Sequence, residues 1–431
     1  MADNSWSMRD LASVWHPFTQ AFQAPPPIFI VRGKGSYLYT ESEIAYLDAI
    51  SSWWVNLHGH AHPHISQAIA KQAEILEHVL FAGFTHPQAI CLAERLLSLL
   101  PKGYSRVFYS DNGSTSVEVA VKITFQVSGH GKTLLSFEGA YHGDTFGAMA
   151  AAGKTHFNRP FWPYLFQVHS ISPPLPGKEA ESWHAFQHSL RTYDIAAFLF
   201  EPIIQGSGGM HIHCKDSLTK MIQACQSQGV ITIADEVMTG FGRTGPLFAC
   251  EQLGAAPDIV CLSKGITGGF LPLGATIVKG FIFQAFLSPD PQKALLQGHS
   301  YTANPLACAA ANASLDLLLT PECSQARSMI EKAHQQFQKE YGMHPKIKRC
   351  DCLGTILVIE YQTDHSSYYH PLKKSCRTYF SKNRSSSDLL EILSIYFPPI
   401  RSPIQNYKKS IPRFSFLWRH KNEQDFFFLF L

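Results

Sequence analysis

The sequence predicts an α/β protein: a large domain with a mostly parallel sheet, accompanied by a smaller α+β domain. Three observations carry this prediction. Short apolar runs alternate with amphipathic segments over the middle of the chain, the pattern of strand and helix taken in turn. The runs are apolar throughout instead of at every second residue, as strands covered on both faces are. Polar, chemistry-bearing residues follow the runs, where open α/β sheets place their ligand sites.

In chain order, residues 33–48 read as a hairpin, with strand-like Ser36-Tyr37-Leu38-Tyr39 and Ala45-Tyr46-Leu47. The buried-strand candidates follow at 106–109 (Arg-Val-Phe-Tyr), 133–137 (Thr-Leu-Leu-Ser-Phe), 196–200 (Ala-Ala-Phe-Leu-Phe), 230–234 (Val-Ile-Thr-Ile-Ala) and 259–262 (Ile-Val-Cys-Leu). Between them lie helical patterns such as 217–228, which Gly229 stops. A long helix begins near Pro305 and leads into the smaller region. The expected division is therefore 1–60 as the N-terminal part of the small domain, 61–304 as the large domain, 305–370 as the rest of the small domain, and 371–431 set apart.

At 431 residues, with 45% hydrophobic content, the chain can bury a core that needs neither disulfides nor metal for stability. A formal charge of +3 gives no reason to expect nucleic acid or an anionic membrane as partner. The first residues lack a basic region followed by an apolar run, so no secretory signal is read there. No stretch approaches the roughly 18 apolar residues of a spanning helix. Ten scattered cysteines without a CxxC pair suit reduced thiols and a cytoplasmic location. Cys350-Asp351-Cys352 reads as two ordinary thiols in a loop.

The polar sets after the strands are Asp111-Asn112-Gly113-Ser114, Tyr141-His142-Gly143-Asp144, Glu201, Asp235-Glu236 and Lys264. A carboxylate and a lysine at one sheet edge suit pyridoxal 5'-phosphate, whose ring nitrogen stays protonated beside a carboxylate and whose aldehyde condenses with an amine. Each residue alone means little, since an Asp at a strand end is often a helix cap. Residues 111–120 supply a glycine turn, hydroxyls and then a helical pattern, leaving N-terminal amides for a phosphate. Tyr141 is placed to stack on the pyridine face. The run His58-Gly59-His60-Ala61-His62-Pro63-His64 invites a metal reading, but no further ligand stands at fixed spacing, and no metal is expected.

Taken in order, Asp-Asn-Gly-Ser-Thr at 111–115, Tyr-His-Gly-Asp-Thr at 141–145, Glu-Pro-Ile-Ile-Gln-Gly at 201–206, the stretch 234–245 around Asp235 and Ser-Lys-Gly-Ile-Thr-Gly-Gly at 263–269 resemble the class III pyridoxal-phosphate aminotransferases of fold type I. Trp15-His16-Pro17-Phe18-Thr19, Ser51-Ser52-Trp53-Trp54 with His58-Gly59-His60, and residues 304–313 narrow the resemblance. They resemble the members that pass an amino group from S-adenosyl-L-methionine to 8-amino-7-oxononanoate in biotin biosynthesis. The resemblance runs from about residue 10 to 360. It implies a homodimer with the active site at the interface, small-molecule substrates, Lys264 as the cofactor's lysine and acid/base, and Asp235 on the pyridine nitrogen. It further implies Gly113 and Ser114 on the phosphate, joined by His299 and Ser300 from the other subunit, with Phe18, Trp53, Tyr141, Arg243 and Gly298 toward the substrate. Ser300 stands where most relatives carry Thr, and Phe18 where they carry Tyr. The lost phenol hydroxyl would cost on the order of 1 kcal/mol of binding. Another ω-aminotransferase, lysine as donor, or a catalytically impaired cofactor-binding protein stay open as alternatives.

The last sixty-one residues differ in kind. Residues 371–431 hold 11 Lys+Arg and 4 Asp+Glu, against 25 and 29 in the rest, and neither Gly nor Ala occurs after Gly354. The family's Arg-Pro-Leu-Gly-Asn motif, whose arginine holds the substrate carboxylate, is absent. Allowed codons for residues 387–392 (Ser-Asp-Leu-Leu-Glu-Ile), read one nucleotide earlier, spell that motif, and the same frame can spell the following Pro-Pro-Tyr. A frameshift between about Pro371 and Ser387 is therefore expected; the alternative is a divergent basic extension.

Overall fold

The computed structural model describes residues 5–362, apart from Gln23, His130 and His156, together with the short strand Leu429–Phe430. The expected frameshift and the rest of 371–431 lie outside the described residues.

The chain begins with helix Trp6–Ser13 and a small antiparallel sheet of β1 (Arg32–Lys34), β2 (Tyr37–Tyr39) and β3 (Ala45–Leu47). The main sheet is built from β4 (Tyr104–Ser110), β5 (Thr133–Phe137), β6 (Val168–Ile171), β7 (Ile195–Phe200), β8 (Ile231–Asp235), β9 (Ile259–Leu262) and β10 (Gly274–Lys279). Its seven strands stand in the order β4-β10-β9-β8-β7-β5-β6. Neighbours pair in parallel except β10, which runs against both β4 and β9. Beyond helices Pro305–Leu318 and Pro321–Tyr341, β11 (Ile347–Leu353) and β12 (Ile356–Tyr361) form a second antiparallel sheet, which β13 (Leu429–Phe430) joins.

Side-chain alternation along the strands explains the continuous apolar runs. On β7, Ala197 and Leu199 pack with Val117, Ala120 and Val121 of helix Gly113–Ser128. Phe198 and Phe200 pack on the opposite face with Phe186 of helix Glu179–Thr192 and Leu218 and Met221 of helix Lys215–Ser227. Each strand thus feeds two cores, so polar alternation has no place in it. Helix Lys215–Ser227 ends where Gly229, at φ 69, turns the chain back into β8.

The five strands expected from the sequence are present within one or two residues of the runs that announced them. Two others gave no such signal. β6 (Val-His-Ser-Ile) is an edge strand of mixed polarity. β10 opens on a glycine and buries Thr276, whose hydroxyl donates to the Ser116 carbonyl at 2.8 Å. A polar residue satisfied only by tertiary contact reads as loop in sequence. Cys350 and Cys352 lie on β11, not in a loop, and both are free.

Candidate active site

Because β4, β5, β7, β8 and β9 run the same way, their carboxyl ends open on one edge of the sheet. That edge holds a cavity of about 790 Å³ whose walls include Asn112, Gly113, Ser114, Tyr141, His142, Glu201, Asp235 and Lys264. Its size falls in the range of small-molecule sites.

Asp235 closes β8 and is 4% exposed. His142 Nδ1 lies 2.7 Å from Asp235 Oδ2, and the Val237 amide donates to Asp235 Oδ1 at 3.0 Å. The imidazole thus donates its Nδ1 proton to the carboxylate, while its Nε2 is buried without a partner among the described residues. Glu236 points the other way, accepting from the Ala249 and Cys250 amides at 3.1 and 2.7 Å. Successive strand residues face opposite sides, so only one of the adjacent acids can reach the cavity.

Lys264 follows β9 with φ 45, a left-handed conformation that costs a non-glycine residue about 1–3 kcal/mol. Desolvation pushes its ammonium below the usual lysine range, against the opposing pull of Asp235 and Glu201. Its Nζ stands 5.2 Å from the Trp54 ring centre. Burial pushes the Glu201 carboxyl up to about 7, although the Gly206 and Tyr141 amides donate to it at 2.7 and 3.3 Å. Tyr141 donates to Asp144 Oδ2 at 2.8 Å; desolvation and that bond raise its phenol pKa.

Opposite the lysine, helix Gly113–Ser128 starts at the cavity. Asn112 caps it, taking the Thr115 amide on Oδ1 at 2.9 Å and the Ser116 amide on its carbonyl at 3.0 Å. The amides of Gly113 and Ser114 carry no such bond among the described residues and stand at the positive end of the helix. A Cβ at Gly113 would come within 2.6 Å of Val237 Cγ1. The arrangement fits pyridoxal phosphate on its own geometry: an anion cradle, a buried carboxylate held by an imidazole, and a lysine of lowered basicity share one cavity.

The side walls are aromatic. Phe18 meets Trp53 and Phe157 edge-on at 6.1 and 6.2 Å. Residues 51–54 are all left-handed, with φ of 49, 47, 63 and 63°, at about 1–2 kcal/mol each.

Arg243 and Gly298 do not line this cavity, nor do His299 and Ser300, which the resemblance draws from a second copy. Arg243 stands behind the 51–54 turn, its guanidinium donating to Ser51 Oγ at 3.2 Å and the Asn56 carbonyl at 2.8 Å. Desolvation lowers its pKa to about 10. Gly298, His299 and Ser300 are not among the residues lining the cavity, and Gly298 and Ser300 are exposed. The histidines of 58–64 are engaged separately: His58 with Ser314, His60 with Asp48 and His64 with Asp316. Among the described residues no group of three or more candidate ligands could hold a metal. His142 and Glu201 are marked in the sequence only by their place after strands, and Phe157 carries no local signal at all. Only their proximity to Asp235, Lys264 and Phe18 gives these residues meaning.

Residues 19–380 match the aminotransferase class-III family. An adenosylmethionine-8-amino-7-oxononanoate aminotransferase from Synechococcus elongatus is 46% identical over 371 residues, covering 83% of this chain and 87% of that protein. One of the same name from Helicobacter pylori is 40% identical over 337 residues, 75% of each chain. Among solved structures, the adenosylmethionine-8-amino-7-oxononanoate aminotransferase of Methanocaldococcus jannaschii superposes with a TM-score of 0.79 at 34% identity, covering 83% of this chain and 84% of that one. A PLP-bound amine transaminase from an uncultivated Pseudomonas species superposes at 0.75 with 28% identity, covering 82% and 85%. With its cradle, carboxylate and lysine on one sheet edge and these likenesses over most of its length, the chain belongs to the class III aminotransferases, which work with pyridoxal phosphate.

Proposed function

We propose that this chain transfers an amino group from S-adenosyl-L-methionine to 8-amino-7-oxononanoate, giving 7,8-diaminononanoate for biotin biosynthesis. The observation that carries the reading is the convergence of Lys264, Asp235 and the Gly113–Ser114 amides on one cavity. The names of the relatives similar over most of the chain point to the substrates.

In this reading Gly113 and Ser114 hold the phosphate through their amides, and Asp235, oriented by His142, holds the pyridine nitrogen. Bound there, pyridoxal phosphate supplies the carbon that receives the amine and the conjugated ring that takes up electrons released at the substrate carbon. Lys264, its basicity lowered by desolvation, would take the proton from that substrate carbon and deliver it to the cofactor carbon that receives the amine. Tyr141, fixed by Asp144, covers one face of the ring. Phe18, Trp53 and Phe157 exclude water from the reacting amine. Arg243 acts from behind the wall.

The same proposal includes a homodimer in which a second copy brings Gly298, His299 and Ser300 to this cavity, with His299 and Ser300 on the phosphate. Exposed Leu80, Phe84, Phe146, Leu296 and Tyr301 supply apolar surface for such a contact. A cytoplasmic location is supported by cysteines that are unpaired among the described residues. The frameshift between about Pro371 and Ser387 also stands as a proposal, supported by a family match that ends at residue 380; an uninterrupted gene sequence encoding the tail refutes it.

Purified chain is expected to show the cofactor's visible absorbance, which Lys264→Ala abolishes. It is expected to form diaminononanoate with S-adenosyl-L-methionine and not with lysine. Product with lysine alone overturns the donor, and cofactor binding without either half-reaction favours an impaired protein.

A further inference from the structure

The left-handed residues 51–54 form a short turn between β3 and the loop that leads to His60. L-residues do not hold such a run unaided, and this one is gripped from both sides. Asp48 accepts from the Ser52 amide at 2.9 Å and from Ser52 Oγ at 2.7 Å. Arg243 holds Ser51 and Asn56 from the other side. His60 closes the frame: its Nε2 lies 2.9 Å from Asp48 Oδ2 and its Nδ1 3.1 Å from Asn56 Nδ2. The Asp48 side chain is 6% exposed. Burial opposes its ionisation, yet the bonds from His60 and Ser52 outweigh burial and hold the carboxyl below its usual range. Neither Asp48 nor His60 lines the cavity, whereas Trp53 and Trp54 do.

We propose that Asp48, oriented by His60, is a positioning residue for amine recognition: it locks residues 51–54 in the left-handed conformation and so sets where the Trp53 and Trp54 rings stand. Trp53 remains 49% exposed, so the backbone that carries it has a large share in where its ring stands. The inference rests on the reading of the cavity as the amine site.

The test uses the full chain as wild type, Asp48→Asn, Ser52→Ala and the double variant. The first readout needs no activity: chymotrypsin cleavage after Trp53 and Trp54, located by mass spectrometry. The second is the half-saturating S-adenosyl-L-methionine concentration in the donor half-reaction, measured with the limiting rate and the affinity for pyridoxal phosphate. Each single variant is expected to speed cleavage at the turn and raise half-saturation about tenfold, the scale of one charge-assisted hydrogen bond. The double variant is expected to stay within about twofold of the worse single, since both changes break the same contact. Cofactor affinity and limiting rate are expected to hold. Unchanged cleavage in both single variants, effects that multiply in the double, or a loss confined to the limiting rate or the cofactor each overturn the proposal. A wild type that takes up no cofactor instead sinks the reading of the cavity, and the cleavage pattern still decides the role of Asp48.

Discussion

Replacing Glu201 by glutamine removes a carboxyl that the fold holds in an unfavourable place. Glu201 is 5% exposed, and burial pushes its pKa from 4.5 to about 7 against the opposing influence of His142 and the Gly206 amide. A raised carboxyl pKa means that the folded chain binds the proton more tightly than the unfolded one. Its stabilising contribution is full below the unfolded pKa and is lost as pH rises through the folded one. At 1.36 kcal/mol per pH unit, the loss between pH 5 and 8 is roughly 2 to 3 kcal/mol. Glutamine keeps the shape and cannot ionise. Its oxygen can take the Gly206 amide, at 2.7 Å the shorter bond, leaving its NH2 turned toward the Tyr141 amide at a cost of about 1–3 kcal/mol at every pH. Glu201→Gln is therefore expected to be less stable than wild type at pH 5 and to equal or exceed it at pH 8. Urea unfolding of the cofactor-free chain at both pH values measures this. A gap between variant and wild type that stays constant from pH 5 to 8 would refute the buried, raised carboxyl.

Other outcomes follow from the same geometry. Gly113→Ala places a methyl against Val237 and displaces the helix start, so pyridoxal phosphate affinity, read by absorbance titration, should fall at least tenfold, about 1.4 kcal/mol. Phe18→Tyr restores a hydroxyl at the cavity mouth and should lower half-saturating substrate up to about fivefold, the scale of one hydrogen bond; a rise would mean that the hydroxyl finds no partner. Leu199→Ala empties a site with 0% exposure between β7 and helix Gly113–Ser128 and should cost about 2–5 kcal/mol in denaturant unfolding.

Much of this molecule is legible in one dimension because its strands obey a local rule. A strand covered on both faces is apolar at every position, so 133–137 and 259–262 coincide with β5 and β9. β10 escaped because Thr276 owes its burial to Ser116, far away in sequence. The site shows the same division. Gly113 and Ser114 could be read from a strand-turn-helix pattern within ten residues. His142 could not be tied to Asp235, because 93 residues separate them. Arg243 sits in a glycine-rich turn that suggests a ligand contact, yet its two terminal nitrogens donate to Ser51 and Asn56.

By itself, then, the sequence determined the α/β class, the position of Asp235 and Lys264 at or just after strand ends, and the family. All three are properties of short windows and their order. Tertiary structure alone decided that Asp235 and not Glu236 faces the cavity, that His142 orients it, and that Asp48 and Arg243 grip the tryptophan turn from outside. It also decided that Gly298, His299 and Ser300 stand apart from the cavity of their own chain. Those outcomes depend on which way a side chain points and what meets it across the sheet, and strand order and packing set both at separations that no sequence period spans.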